Sequence, residues 1–170
     1  TRALQALNPR HTYMCVGFSS DAIHWRDFND CLDIEAPGNT HSNWFWAPKL
    51  NKYVGITRLS QGQRMVARTE SADFLHWTKA EVILKALPSE PKRQTYAMPS
   101  FPYANGYLGL VMMLNLNGAN DTVDCELTWS ADSVHWERIC PGTPMLPRGP
   151  EGAYDSKFLY GAFPPVVTGW

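Results

Sequence analysis

The sequence predicts an all-β chain built from repeats, and three observations carry that prediction. A seven-residue phrase recurs three times, as Ser19-Ser20-Asp21-Ala22-Ile23-His24-Trp25, Ser71-Ala72-Asp73-Phe74-Leu75-His76-Trp77 and Ser130-Ala131-Asp132-Ser133-Val134-His135-Trp136, with Asp-to-Asp intervals of 52 and 59 residues. A second register runs beside it: Pro48, Pro102 and Pro165 each stand five residues before an aromatic, Tyr53, Tyr107 and Trp170. Composition agrees, since seven each of Trp, Tyr and Phe, with 13 Pro and 12 Gly in 170 residues, suit short strands joined by many turns. A self-similar period of about 50 residues marks stacked supersecondary units, with β-propellers foremost.

Each copy of the phrase reads as the turn of a β-hairpin. Arg64-Met65-Val66-Ala67-Arg68-Thr69 leads into the second copy and Ala80-Glu81-Val82-Ile83-Leu84 leaves it, both short and rich in β-formers. An Asp near the start of such a turn accepts hydrogen bonds from backbone amides two or three residues on. The closing Trp is a large apolar plate suited to packing on a neighbouring repeat. Asp21, Trp25, Asp73, Trp77, Asp132 and Trp136 are therefore read as structural residues of the repeat, and the motif Asp and His side chains are set aside as catalytic candidates.

In chain order, residues 1–10 carry only the weak pattern of an edge strand. His11 to Phe18 reads as a strand, the first motif turns it, and Arg26 to Ile34 returns, with Ala36-Pro37-Gly38-Asn39 as a linker. Asn43 to Ile56 forms a hairpin turning at Asn51-Lys52, residues 64–84 supply a second hairpin, and 85–94 form a polar link containing proline. Tyr96 to Leu114 repeats the opening hairpin with its turn at Asn105-Gly106, a strong hairpin signal. Residues 115–121 are a loop, 122–146 carry the hairpin of the third motif, and Phe158 to Trp170 opens a fourth repeat with its turn at Thr168-Gly169.

The expected organisation is one partial β-propeller domain over residues 1–170, with repeats at 11–37, 43–87, 95–148 and 151–170. That makes about three blades' worth of four-stranded antiparallel blades, fewer than the roughly four to eight usual in propellers. The two ends could pair with each other, or identical chains could complete the ring, because an unpaired strand edge is a template for association. A homo-oligomer that completes the propeller is the expected partner state.

A net charge of −1 with mixed signs points away from nucleic acid and from anionic membrane surfaces. No apolar run reaches membrane-span length. Thr1-Arg2-Ala3-Leu4-Gln5 lacks the core of a signal peptide, so a cytoplasmic location is the expectation. Cys15/Cys31 and Cys125/Cys140 straddle the first and third motifs. Reduced cysteines acting as small core hydrophobes are preferred to cross-strand disulfides, which need specific geometry. No Cys/His cluster suggests a metal, and no cofactor is implied.

Hairpin followed by an S-x-D-x-x-x-W hairpin resembles the five-bladed propellers of the invertase, levanase and arabinanase glycosidases, over about Tyr13 to Trp170. Trp44-Phe45-Trp46-Ala47-Pro48-Lys49 resembles the group's F-R-D-P motif, and Tyr96-Ala97-Met98-Pro99-Ser100-Phe101 its W-E-C-P-D motif. The turn phrase is also similar to the sialidase Asp box, without its Gly and Thr. In the glycosidase group the Asp of the first motif stabilises the transition state and the Glu of the second is the acid/base; the matching positions here are Ala47 and Ala97. The group's nucleophile motif, W-M-N-D-P-N, has no counterpart. Glycoside hydrolysis needs two carboxylates about the scissile bond, and alanine supplies neither.

The resemblance thus implies a glycosidase-like propeller that does not catalyse and that binds a carbohydrate or a partner. Its alternatives are a divergent glycoside hydrolase drawing acids from Glu151, Asp155 or a partner chain, and a pure interaction scaffold. Glu151 and Asp155 form the one acidic cluster worth testing, in a loop entering the last inner strand; Glu126, mid-strand between Cys125 and Leu127, has one face that burial could cover. Candidate ligand-binding residues are Trp44, Trp46, Arg58, Tyr96 and Tyr103, joined by Arg93. These are types that stack on sugar C–H faces or hydrogen-bond hydroxyls. Trp44 and Trp46 share parity and point together. Inter-blade packing is the competing explanation for the aromatics.

Overall fold

A computed structural model describes residues 12–37, 41–163 and 165. Among the described residues, eleven strands lie in three antiparallel sheets, an all-β architecture, as the sequence predicts. Strands β1 (Cys15–Phe18) and β2 (Arg26–Asp30) form a two-stranded sheet. Strands β3 (Asn43–Ala47), β4 (Lys52–Ser60), β5 (Arg64–Ser71) and β6 (Glu81–Leu84) form a four-stranded meander in sequence order. The third sheet contains β7 (Arg93–Ala97), β8 (Ser100–Tyr103), β9 (Gly106–Asn115), β10 (Thr122–Ser130) and β11 (Glu137–Arg138).

In that third sheet β7 and β8 pair with successive stretches of β9, so together they occupy the place of one inner strand. The break falls at Met98-Pro99, where proline has no N–H to give the ladder. The ladder survives there because the Leu110 amide donates to the Pro99 carbonyl at 2.8 Å. A four-stranded blade with a kinked inner strand results.

Several expected details shift. The turn after β3 is not Asn51-Lys52 but residues 48–51: the Leu50 amide bonds the Ala47 carbonyl, Asn51 takes a φ of 50°, and Lys52 already belongs to β4. Asparagine tolerates this left-handed backbone, so it ends the turn. At the other expected turn, Ala104 carries the positive φ, 47°, while Gly106 starts β9. Gly106 is needed for proximity, since a Cβ there would lie 2.6 Å from the Ser130 carbonyl oxygen. The return strand expected to reach Ile34 stops at Asp30, and a single 3-10 turn at Leu32–Ile34 plugs Ile34 into the core at 1% exposure. Residues 158–163 form no strand; Phe158 makes an isolated parallel bridge to Val123. The expected features at residues 1–11, at Gly38 and Asn39, at Thr168-Gly169 and at Trp170 lie outside the described residues.

The first hairpin packs on the second sheet, and the second sheet on the third. Met14, Val16, Cys31 and Ile34 from the first hairpin meet Ala67, Trp77 and Ala80 of the second sheet. Phe45, Val54, Ile56 and Val66 of the second meet Met98, Tyr107, Val111, Met113 and Trp136 of the third. Alternation along each strand makes this two-sided burial.

All four cysteines are free. Cys15 lies opposite Asp30, so Cys31 falls one step further along, with its amide bonded to the Met14 carbonyl. A one-residue offset places the two thiols on opposite faces of the sheet. Accordingly Cys31 and Cys125 are buried, and burial raises the Cys125 thiol to about 11. Cys15 and Cys140 are exposed, so the expectation that all four are core hydrophobes holds for only two.

Candidate functional site

The three motif turns are built alike. In each, one Asp oxygen accepts the amides two and three residues on, at 2.8–2.9 Å, and the other bonds the His Nδ1 at 2.6–2.7 Å. The leading Ser donates to the same Asp, and the Trp indole donates to the carbonyl three residues back. That carbonyl belongs to Ala22, Phe74 or Ser133, each in the left-handed region at φ 60°, 66° and 67°. The bonds hold all three carboxyls well below the usual range. The His side chain is the main cause at Asp21 and Asp132, and the His76 amide at Asp73. Asp73 in turn raises the His76 imidazole through their hydrogen bond. The Asp oxygens are engaged within the turn itself.

The aromatic candidates divide between the two ends of the inner strands. Trp46, near the end where β3 finishes, packs on Tyr53 at 4.8 Å between ring centroids, and Trp44, the second residue of β3, packs on Trp77 at 4.6 Å. Tyr53 and Trp77 both contact Phe74 of the second motif. Trp44 also covers Gly55, where an added Cβ would fall 1.8 Å from its ring. Trp44 and Trp46 therefore point together, as their parity requires, into a packed aromatic group. Tyr103 stands in the open beside the β8–β9 turn.

At the opposite end, where β3 begins, Arg58 lies over the Tyr96 ring at 4.9 Å and Arg64 over the same ring at 5.7 Å. Tyr96 contacts Tyr160 at 6.0 Å, Tyr160 lies nearly parallel to Phe158 at 6.3 Å and 10°, and His41 meets Tyr160 at 5.4 Å. Phe158 and Tyr160 are each 46% exposed and two residues apart. A cleft of about 440 Å³ at this end is lined by Arg58, Ser60, Gly62, Gln63, Arg64 and Gln94. A second, of about 290 Å³, includes His41, Asn43, Pro99 and Phe163. Of the five expected ligand-binding residues, Arg58 and Tyr96 meet at this end, Trp44 and Trp46 share the aromatic group of the second motif, and Tyr103 stands apart from both. Sequence reasoning misses His41, Arg64, Phe158 and Tyr160 as binding residues; residues 158–163 form no strand, so the strand parity that aligns Trp44 and Trp46 has no hold on Phe158 and Tyr160.

The positions matched to glycosidase acids are buried in apolar packing. Ala47 is 0% exposed and Ala97 2%, in separate apolar clusters. A carboxylate at either would meet hydrocarbon. Glu151 is exposed on its loop, and Asp155 folds back on the same loop, where a Cβ on Gly149 would fall 2.0 Å from its Oδ1. Neither lines either of these clefts.

Glu126 is fully buried and belongs to a charge network. It accepts from Arg93 at 2.6 Å, from Arg138 at 2.6 and 2.8 Å, and from the Gly142 amide at 3.2 Å. Glu90 bonds both arginines, and its carboxyl is lowered to about 2, chiefly by Arg138. Arg93, a ligand-binding candidate from sequence, ties Glu90 of the 85–92 link to Glu126 of β10 and Asn115 of β9. Among the described residues no group of three or more His, Cys, Asp or Glu could hold a metal, and no helix is long and apolar enough to cross a membrane.

No protein-family model matches the chain, and no curated protein matches it in sequence. Among solved structures it is similar to an N-acetylgalactosamine deacetylase from F. plautii, crystallised in complex with blood group B trisaccharide, with a TM-score of 0.62 at 15% identity. The match takes in 87% of this chain and 45% of that one, so the chain spans less than half of the similar protein's length. At this identity the likeness is one of fold, and function must be argued from the site.

Proposed function

We propose that the protein binds a carbohydrate without hydrolysing it, through the row Tyr96–Tyr160–Phe158 and the adjoining Arg58. The observation that carries this reading is the pair of near-parallel, half-exposed rings of Phe158 and Tyr160, set beside a polar cleft. Flat aromatic faces bind the C–H patches of a sugar while nearby polar groups take its hydroxyls. The ligand class agrees with the trisaccharide complex of the structurally similar deacetylase. Alanine at both positions matched to glycosidase acids, and the burial of both, support binding without hydrolysis. The test is a panel of oligosaccharides screened for binding and, in parallel, for turnover. Binding without turnover is expected. Hydrolysis lost in Glu151→Gln or Asp155→Asn would instead establish the divergent hydrolase.

A second reading, association with another copy that completes the ring of blades, draws on the first hairpin. Ile23, Trp25 and Phe28 are 76%, 56% and 66% exposed on it, whereas the later motif tryptophans are covered by the sheets of their own and the preceding repeat. Light scattering tests it: a dimer or larger assembly that Trp25→Ser dissociates supports it, and a monomer at all concentrations removes it.

A further inference from the structure

We infer that the cleft beside Tyr96 selects an acidic sugar, one carrying a carboxylate, over its neutral counterpart. This rests on the carbohydrate reading above and adds the chemical class of the ligand. Two guanidinium groups converge on one ring, Arg58 at 4.9 Å and Arg64 at 5.7 Å from the Tyr96 centroid, and both line the cleft of about 440 Å³. The other four lining residues are Ser60, Gly62, Gln63 and Gln94, so the lining contains two cations and no acid. Arg58 is 8% exposed, which places its charge where water screens it little.

Arg64 is held in place from its side. The Gln94 side-chain oxygen accepts both the Arg64 amide, at 3.2 Å, and its Nη1, at 3.0 Å. A guanidinium anchored on one edge and backed by an aromatic face is oriented in advance, and its planar fork matches the two oxygens of a carboxylate. The half-exposed Tyr160 and Phe158 continue the row from Tyr96, so a pyranose ring stacked there would turn its carboxylate toward the guanidinium pair. Ser60 and Gln63 supply neutral partners for hydroxyls.

The experiment is calorimetric titration with oligogalacturonate, with the neutral galactose oligomer of the same length, and with acetate as a free carboxylate. Wild type and Arg64→Gln are compared at low and high salt. The expected result is tighter binding of the acidic oligomer, weakened by salt and roughly tenfold weaker in Arg64→Gln, with a distinctly smaller loss for the neutral oligomer. Equal binding of both oligomers, unchanged in Arg64→Gln, would leave the carbohydrate reading standing and overturn the acidic preference. Binding of acetate as strong as that of the acidic oligomer would make the cleft a carboxylate site without sugar selection, and would overturn the inference as stated. Failure of every probe would overturn it together with the carbohydrate reading for these ligands. Arg64→Lys separates charge from shape: partial rescue of the acidic preference is expected, and none would contradict the assignment to a cation.

Discussion

The first motif turn and the third share the same hydrogen bonds and differ in what covers them. In both, the Asp accepts two amides at 2.8–2.9 Å and the His Nδ1 at 2.7 Å. Yet Trp25 is 56% exposed while Trp136 is 8% exposed, enclosed by Phe45, Val54 and Met98 from two sheets. The turn is a local object, complete within seven residues. The burial of its tryptophan depends on the preceding sheet, which the first copy lacks among the described residues.

The largest test of that separation is truncation of the tryptophans. Trp136→Ala should cost about 3–5 kcal/mol, the range for emptying a packed aromatic site, and Trp77→Ala a similar amount. Trp25→Ala should cost less than about 1 kcal/mol, as exposed substitutions do. Urea unfolding checks all three, and equal losses would break the distinction. The third repeat is also fixed by charge. Glu126→Gln should cost about 3 kcal/mol, because Arg93 and Arg138 would lose a buried counter-charge.

The carboxylates should behave alike where the tryptophans do not. Asp21, Asp73 and Asp132 are all depressed below the unfolded value of about 3.9. Their stabilisation is therefore fully present above about pH 4 and is lost as pH falls through the lower folded value. Asp21→Asn and Asp132→Asn should flatten the acid limb of the stability curve to the same degree. A much larger effect at Asp132 would show that the turn draws on its surroundings. His76 acts in the opposite sense: its raised value makes its contribution full below about pH 6.5 and lost as pH rises through the folded value. The smallest effect is at Ala22, whose φ of 60° strains a side-chain-bearing residue. Relief of that strain, less the added freedom of the unfolded chain, should make Ala22→Gly more stable by about 0.5 kcal/mol.

What the sequence discloses follows the same division. The hairpins at 19–25, 71–77 and 130–136 are legible because each is specified by side chains bonding their own turn. The all-β class is legible because the turns repeat. The Glu126 network is not, since its partners Arg93 and Glu90 join it from 33 and 36 residues away in sequence and Arg138 from 12. At the candidate site, Arg58 and Tyr96 are recognisable by residue type. Their meeting with Arg64 depends on the β4–β5 turn lying beside β7, a tertiary placement that spacing does not encode. Trp44 and Trp46 show the reverse. Their common direction is readable from parity, but only the fold reveals that they face the second motif and not a cleft.

The measurement that tests the proposed function most directly is glycan binding by Tyr160→Ala beside Trp46→Ala. Both side chains are partly exposed, at 46% and 41%, at opposite ends of the inner strands, so both variants should fold. Binding lost in Tyr160→Ala and retained in Trp46→Ala is the expected result. Binding retained in Tyr160→Ala and lost in Trp46→Ala would contradict the account and move the site to the other end of the inner strands.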